Sequence, residues 1–173
     1  MVKVFQQRTE QSKDNWETPL ELFNPLNALY DFNIDAAATK ENSLCIDYLK
    51  DAFTEDWDLG LTHRRVWCNP PFSQKVEFLE RMLCYIQVLD YSFFLLPNNS
   101  RETFWWNEFV VPYADLIINL VGRVNFCYKG KPSKQCNFPS CLAVFRPRLL
   151  ASRYGVPREI YWNWKEEPCN GKI

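Results

Sequence analysis

Short apolar runs alternate with amphipathic stretches along most of the chain, and that alternation predicts its elements. Residues 18–30 (TPLELFNPLNALY) read as a helix with Thr18 at its N-cap and Pro19 as first helical residue. Residues 32–37 (FNIDAA) read as a short strand ending on the carboxylate of Asp35, and 66–68 as a second strand stopped by Pro70 and Pro71. Within 74–88, Val76, Leu79, Leu83 and Ile86 recur at helical spacing. The run 91–96 (YSFFLL) is apolar throughout, which fits a strand buried on both faces. Residues 101–111 predict an aromatic-rich helix, and its adjacent Trp105 and Trp106 cannot share one face, so one of them should point outward. Two further β runs, 115–126 and 140–145, flank a basic loop at 127–139.

Strands alternating with helices, then two successive strands, predict an α/β fold: a doubly wound, mostly parallel sheet with a C-terminal antiparallel strand pair. Ligands of such sheets bind beyond the carboxyl ends of the strands. Asp35, the tetrapeptide Asn69-Pro70-Pro71-Phe72 and Pro97-Asn98-Asn99 all fall at strand ends of that kind.

At 173 residues the chain suits one domain, with residues 1–13 as a polar arm and 148–173 as an extension. Its five glycines (Gly60, Gly122, Gly130, Gly155, Gly171) cannot spell either glycine-rich phosphate loop. The single histidine, His63, argues against His-rich metal sites and an acyl-transfer triad, and no metal is expected. Seven scattered cysteines without a C-x-x-C pair read as reduced, mostly buried thiols. The polar N-terminus lacks a signal-peptide core and no apolar run reaches membrane length, so a cytoplasmic location off the membrane is expected. Nothing in the pattern bears on oligomeric state.

The net charge of −1 conceals a division. Residues 1–115 carry 18 acids against 10 bases, whereas 116–158 carry 8 bases and no acid. An acid-free stretch of that length predicts a polyanion face, with an ordinary solvated surface as its plain alternative.

The chemistry concentrates in Asn69-Pro70-Pro71-Phe72. Two prolines keep the backbone extended and leave the Pro70 carbonyl able to accept a hydrogen bond, beside the side-chain carbonyl of Asn69. Two acceptors aimed at one volume suit an exocyclic amine, with Phe72 offering a flat face to its ring. Drawing both N–H bonds out of the ring plane would free the lone pair of a conjugated amine for attack, a stabilisation that grows towards the transition state.

The ordered set Trp16-x-Thr18-Pro19, Phe32-x-Ile34-Asp35-x-Ala37-Ala38, Asp51, Trp57, Val66-Trp67-x-Asn69-Pro70-Pro71-Phe72, Gly122-Arg123-Val124-x-Phe126 and Pro139-Ser140-x-Leu142-Ala143-Val144-Phe145 resembles the phage-type DNA N-6-adenine methyltransferases. The resemblance implies a Rossmann-like methyltransferase fold and S-adenosylmethionine-dependent methylation of adenine N6 in double-stranded DNA, on a flipped base. It also implies that Asn69, Pro70, Pro71 and Phe72 are catalytic, and that Trp16, Thr18 and Pro19 meet the methionine end of the donor. Asp35, Ala36 and Ala37 would form the donor loop, and Asp51 would accept from the donor's adenine amine while Phe53 packs on its ring. Nucleic-acid contacts are expected from Asn98, Ser100, Arg101, Arg123, Lys129, Lys131 and Lys134. With little chain left for target recognition, a short or relaxed recognition site is expected. If phage-encoded, the protein would work in the bacterial host's cytoplasm. RNA adenine, a protein glutamine, and a non-catalytic DNA-binding relic are the alternatives.

Overall fold

The computed structural model describes residues 13–133, 136–147 and 156–166. Seven strands form one mixed sheet in the order β2 (Asp47–Tyr48), β1 (Ile34–Asp35), β3 (Arg65–Cys68), β4 (Tyr91–Pro97), β8 (Ser140–Phe145), β5 (Ala114–Leu120) and β9 (Arg158–Trp162). β1 is parallel to β2 and β3, β3 to β4, and β5 to β9; only β8 runs antiparallel to its neighbours, β4 and β5. A separate antiparallel pair, β6 (Cys127–Tyr128) and β7 (Lys131–Pro132), makes a small hairpin. The expected mixed α/β class, the mostly parallel sheet and the antiparallel pairing of the two late β runs are all present.

Both faces of the sheet are covered, and the period of two sorts the strand residues between them. On one face Phe94 and Leu96 of β4, with Cys141, Ala143 and Phe145 of β8, pack against the helix α2 (Lys75–Tyr85) and the π-helical turn Trp106–Val110. On the other face Phe93 and Leu95, with Leu142 and Val144, meet the helix α1 (Leu20–Tyr30) and the aromatics Phe126, Phe138 and Trp162. A strand buried on both sides needs apolar residues at every position, which is why YSFFLL carries no polar alternation.

Several local expectations change. Pro19, not Thr18, occupies the N-cap of α1, with no side-chain cap bond; its carbonyl accepts the N–H groups of Leu22 (3.0 Å) and Phe23 (3.2 Å). Thr18 is buried instead. The face of α2 that reaches the core is built from Phe78, Leu79 and Met82, with Val76 and Leu83 at its margins. The run expected over 115–126 leaves the sheet after Leu120, because Gly122 turns the chain at φ 84°, a conformation that favours glycine. Val124 and Phe126 then fold beneath the sheet and are fully buried. The helix expected over 101–111 shrinks to the π-helical turn and the residues leading into it. Trp106 is buried and Trp105 half-buried, so the outward aromatic is Phe104, 76% exposed. β2 and β9 were not foreseen.

Candidate active site

The strand order sets the position of the site. From β1 the chain moves outward to β2, and from β3 it moves the opposite way to β4, so the β1–β3 boundary is a switch point. Loops leaving adjacent strands in opposite directions open a crevice beyond the carboxyl ends. A cavity of about 640 Å³ lies there, lined by Ala36 and Ala37 after β1, Asp51 and Phe53 after β2, Asn69 and Pro71 after β3, and Trp16 from the segment preceding α1. The hairpin side chains Tyr128 and Lys129 reach the same cavity.

Asn69 is held by its own amide. Its Nδ2 donates to the Trp16 carbonyl at 2.8 Å, which fixes the amide and leaves Oδ1 without a donor among the described residues. The carbonyls that follow differ from one another. Pro71 accepts the Gln74 N–H at 2.9 Å and Phe72 accepts Lys75 Nζ at 2.9 Å, whereas the Pro70 carbonyl receives no hydrogen bond from a described residue. Two acceptors of the tetrapeptide therefore have no donor among the described residues while their neighbours are tied down; Asn69 lines the cavity, whereas Pro70 is buried behind it. Behind them stands an aromatic cluster: Trp16 stacks on Phe126 at 5.0 Å, and Phe72 packs edge-on to Trp16 (6.0 Å), Phe126 (5.8 Å) and Phe138 (5.3 Å).

The two carboxylates expected at the donor site differ sharply. Asp35 is buried, and its oxygens accept the N–H groups of Ala37 (3.3 Å) and Leu44 (3.1 Å), closing the loop after β1. Burial pushes its pKa up to about 6, opposed in part by those two bonds. It faces not the main cavity but a small adjoining recess of about 30 Å³, shared with Trp16, Thr18, Ala37 and Asn69. Asp51 is fully exposed; the Phe53 N–H donated to its Oδ1 at 2.9 Å holds the carboxyl below the usual range. Phe53 is 40% exposed at the cavity edge, its ring set against Phe78 at 5.0 Å. Burial also pushes up the thiols of Cys45 and Cys68, with the charge of Asp35 adding to it.

The expected nucleic-acid contacts divide into two groups. Lys129 and Lys131 sit exposed on the β6–β7 hairpin. Glu17 docks that hairpin: it exchanges backbone bonds with Cys127 (2.8 and 2.9 Å), and its carboxylate accepts the Gly130 N–H at 2.8 Å. Pro19, expected beside the donor, lines neither the main cavity nor the Asp35 recess but a separate cleft shared with Glu17, Cys127 and Gly130. Arg123 is half-buried, and Lys134 lies outside the described residues. Arg101, in contrast, is committed internally. Its guanidinium meets both Glu159 oxygens (2.7 and 2.9 Å), Asn119 Oδ1 (2.6 Å) and the side chain of Asn98. Asn98 in turn donates to Asn119 at 2.8 Å, and Arg101 holds the Glu159 carboxyl below its usual range. Ser100 is half-buried in the same loop, its carbonyl accepting the Thr103 N–H.

Three residues beside the site carried no sequence signal. Asp14 Oδ1 accepts the Ser73 N–H at 2.8 Å and lines the cavity. Lys75 lies over the Trp105 ring at 5.2 Å while bonded to Phe72. Lys13 lies over Phe138 at 5.1 Å. All three act through contacts between distant parts of the chain, which spacing cannot reveal. Among the described residues no group of His, Cys, Asp and Glu could hold a metal ion, and no helix is long and apolar enough to cross a membrane.

Comparison with known proteins matches residues 6–163 to the family model described as DNA N-6-adenine-methyltransferase (Dam). A DNA N-6-adenine-methyltransferase of Haemophilus phage HP1 is 24% identical over 168 residues, covering 93% of each chain. Another of the same name, from Escherichia phage T1, is 28% identical over 109 residues, 61% of this chain and 44% of its own.

Proposed function

The chain belongs to the DNA N-6-adenine-methyltransferase (Dam) family, and from that premise we propose that it transfers a methyl group from S-adenosylmethionine to the N6 amine of adenine in double-stranded DNA. The reading rests on Asn69, whose amide is pinned to the Trp16 carbonyl so that Oδ1 is left for an incoming N–H donor. The names of the phage relatives support adenine in DNA as the acceptor.

The residues present suit the donor. A cavity of about 640 Å³ has room for it, with Phe53 as a face for a purine and Asp51 at its edge as an acceptor for an exocyclic amine. The recess holding Asp35 and Thr18 suits an amino-acid end, where a buried carboxylate attracts an ammonium strongly. S-adenosylmethionine supplies an electrophilic methyl group on a sulfonium. Asn69 and the Pro70 carbonyl accept the two N–H bonds of a flipped adenine and direct its lone pair into the cavity. As positive charge develops on the nitrogen both bonds strengthen, so their effect falls on the transition state. Phe72 meets the ring, and transfer is in-line without a covalent enzyme intermediate.

On this reading the chain is a single Rossmann-like methyltransferase domain over residues 1–173, working in the host cytoplasm. Lys129 and Lys131 contact phosphates from the hairpin. Asn98 and Arg101 support the 98–105 loop from beneath while Ser100 and its neighbours face the duplex. A short or relaxed recognition site follows from the small size of these loops.

The test is transfer of labelled methyl from S-adenosylmethionine to double-stranded DNA, RNA or protein. Label in DNA alone is expected; label confined to RNA or protein, or absent from all three, overturns the reading.

A further inference from the structure

Two cations from distant parts of the chain converge on the aromatic cluster that backs the 69–72 loop. Lys13 opens the short 3-10 turn Lys13–Asn15, which Asp14 fastens to the loop through the Ser73 N–H. Its ammonium lies 5.1 Å from the centre of the Phe138 ring, and Phe138 packs on Phe72 at 5.3 Å. Arg123 precedes the fully buried Val124 and Phe126, the latter stacked on Trp16. The charges of both Lys13 and Arg123 bear on the thiol of Cys136, two residues before Phe138. Lys13 thus meets the Trp16–Phe72–Phe126–Phe138 cluster at Phe138, and Arg123 joins it through the chain segment that carries the buried Val124 and Phe126.

Lys13 and Arg123 share with the hairpin lysines Lys129 and Lys131 the lack of a carboxylate partner among the described residues. Among the described residues Arg64, Arg65, Arg101 and Arg146 each have a carboxylate partner, whereas Lys13 and Arg123 have none. The nearest acid along the chain to Lys13, Asp14, spends Oδ1 on the Ser73 N–H. An unpaired guanidinium and ammonium beside an aromatic pocket suit a planar-fork and point-charge grip on one anion.

We propose that Lys13 and Arg123 form a phosphodiester clamp that holds the backbone of the nucleotide entering the 69–72 site. The clamp rests on the methyltransferase reading above. A base taken out of the stack swings about its own backbone, so the phosphates beside it must be held away from their duplex path. Cations at the pocket edge do that, whereas lysines on the hairpin grip phosphates further along the strand.

The test compares wild-type protein with Lys13→Met, Arg123→Met and the double variant on an unmethylated DNA duplex containing the target adenine identified from the wild-type product. The slope of log affinity against log salt should fall by about 1 for each cation removed, with DNA affinity of the double variant weakened about 10-fold or more. Affinity for S-adenosylmethionine should stay within about 3-fold of wild type, since these side chains do not line the donor cavity. A neutral methylphosphonate beside the target adenine should weaken wild-type binding and add nothing in the double variant. A wild-type salt slope in the double variant, or a methylphosphonate penalty that persists in full, overturns the clamp. Lys13→Met alone changes an exposed side chain and carries the same test with half the slope change, should the double variant fail to fold. Absence of methyl transfer by the wild type would instead overturn the underlying reading.

Discussion

Beyond β1 and β3 the carboxyl edge of the sheet opens into a cavity of about 640 Å³, whereas beyond β4 and β5 the same edge is occupied by Arg101, Asn98, Asn119 and Glu159. Both regions lie at strand ends where ligands bind in sheets of this class. They differ in how the chain leaves them. At β1 and β3 the connections leave in opposite directions, and no strand enters between the two. At β4 and β5 the antiparallel β8 enters between the two strands, and β9 brings Glu159 alongside to neutralise Arg101. A strand end therefore marks a ligand edge only where the topology leaves it open. A basic residue there is free for a ligand only if no carboxylate arrives from elsewhere in the fold.

The largest effect that would break this contrast belongs to the open region. Asn69→Ala removes one of the two acceptors proposed for the amine, and kcat for methyl transfer should fall about 10²–10³-fold with the fold retained. A variant that keeps near-wild-type turnover would mean the open region is not where the amine is held.

The closed region should respond in stability instead. Arg101→Met strips Glu159 and Asn119 of their partner in a half-exposed network, so urea denaturation should show a loss of about 1–2 kcal/mol. DNA affinity should change little. Loss of DNA affinity at unchanged stability would make Arg101 a phosphate ligand and erase the contrast.

Asp35 sharpens the comparison through pH. Its folded pKa of about 6 lies above the ordinary 3.8, so between those values the native state holds a proton that the unfolded chain has released. The sign follows: this group's contribution to stability is fullest at the acid end and is lost as pH rises through about 6. Donor binding should run the opposite way, strengthening as pH rises through the same window and the carboxylate acquires its charge. Asp35→Asn should flatten both profiles, as read by denaturation and by titration with S-adenosylmethionine. A donor affinity indifferent to pH in the wild type would remove Asp35 from the donor site.

The smallest effect concerns the hairpin. Glu17→Ala removes the carboxylate bond to Gly130 but leaves the backbone exchange with Cys127, at a cost of about 0.5–1.5 kcal/mol. Hydrogen exchange should quicken at Gly130 with the sheet unaffected; quickening throughout the sheet would mean the hairpin is integral to the core.

What could be read along the chain was local. The strand 140–145 matches residue for residue, the apolar run 91–96 gave its two buried faces away, and the 69–72 loop announced free acceptors through its prolines. What escaped depends on contacts between remote residues or on backbone geometry. Asp47 and Tyr48 are a strand only because they pair with β1, and 158–162 only because it pairs with β5. Arg101 looked free because its carboxylate partner lies 58 residues away. Phe104 is the outward aromatic because Trp106 is buried in the core and Trp105 packs edge-on against it and beneath Lys75. Asp35 was legible as a strand-end carboxylate, but its burial and its two backbone donors were not.

The central claim is that the open region beyond β1 and β3 holds a methyl donor against the amine-binding loop 69–72. The most direct measurement incubates DNA with the protein and S-adenosylmethionine carrying a trideuterated methyl group, then digests it for nucleoside mass spectrometry. Trideuteromethyl on adenine N6 with the wild type, and at least about 100-fold less with Asn69→Ala, is the expected result. The label on another base, or equal labelling by the variant, would contradict it.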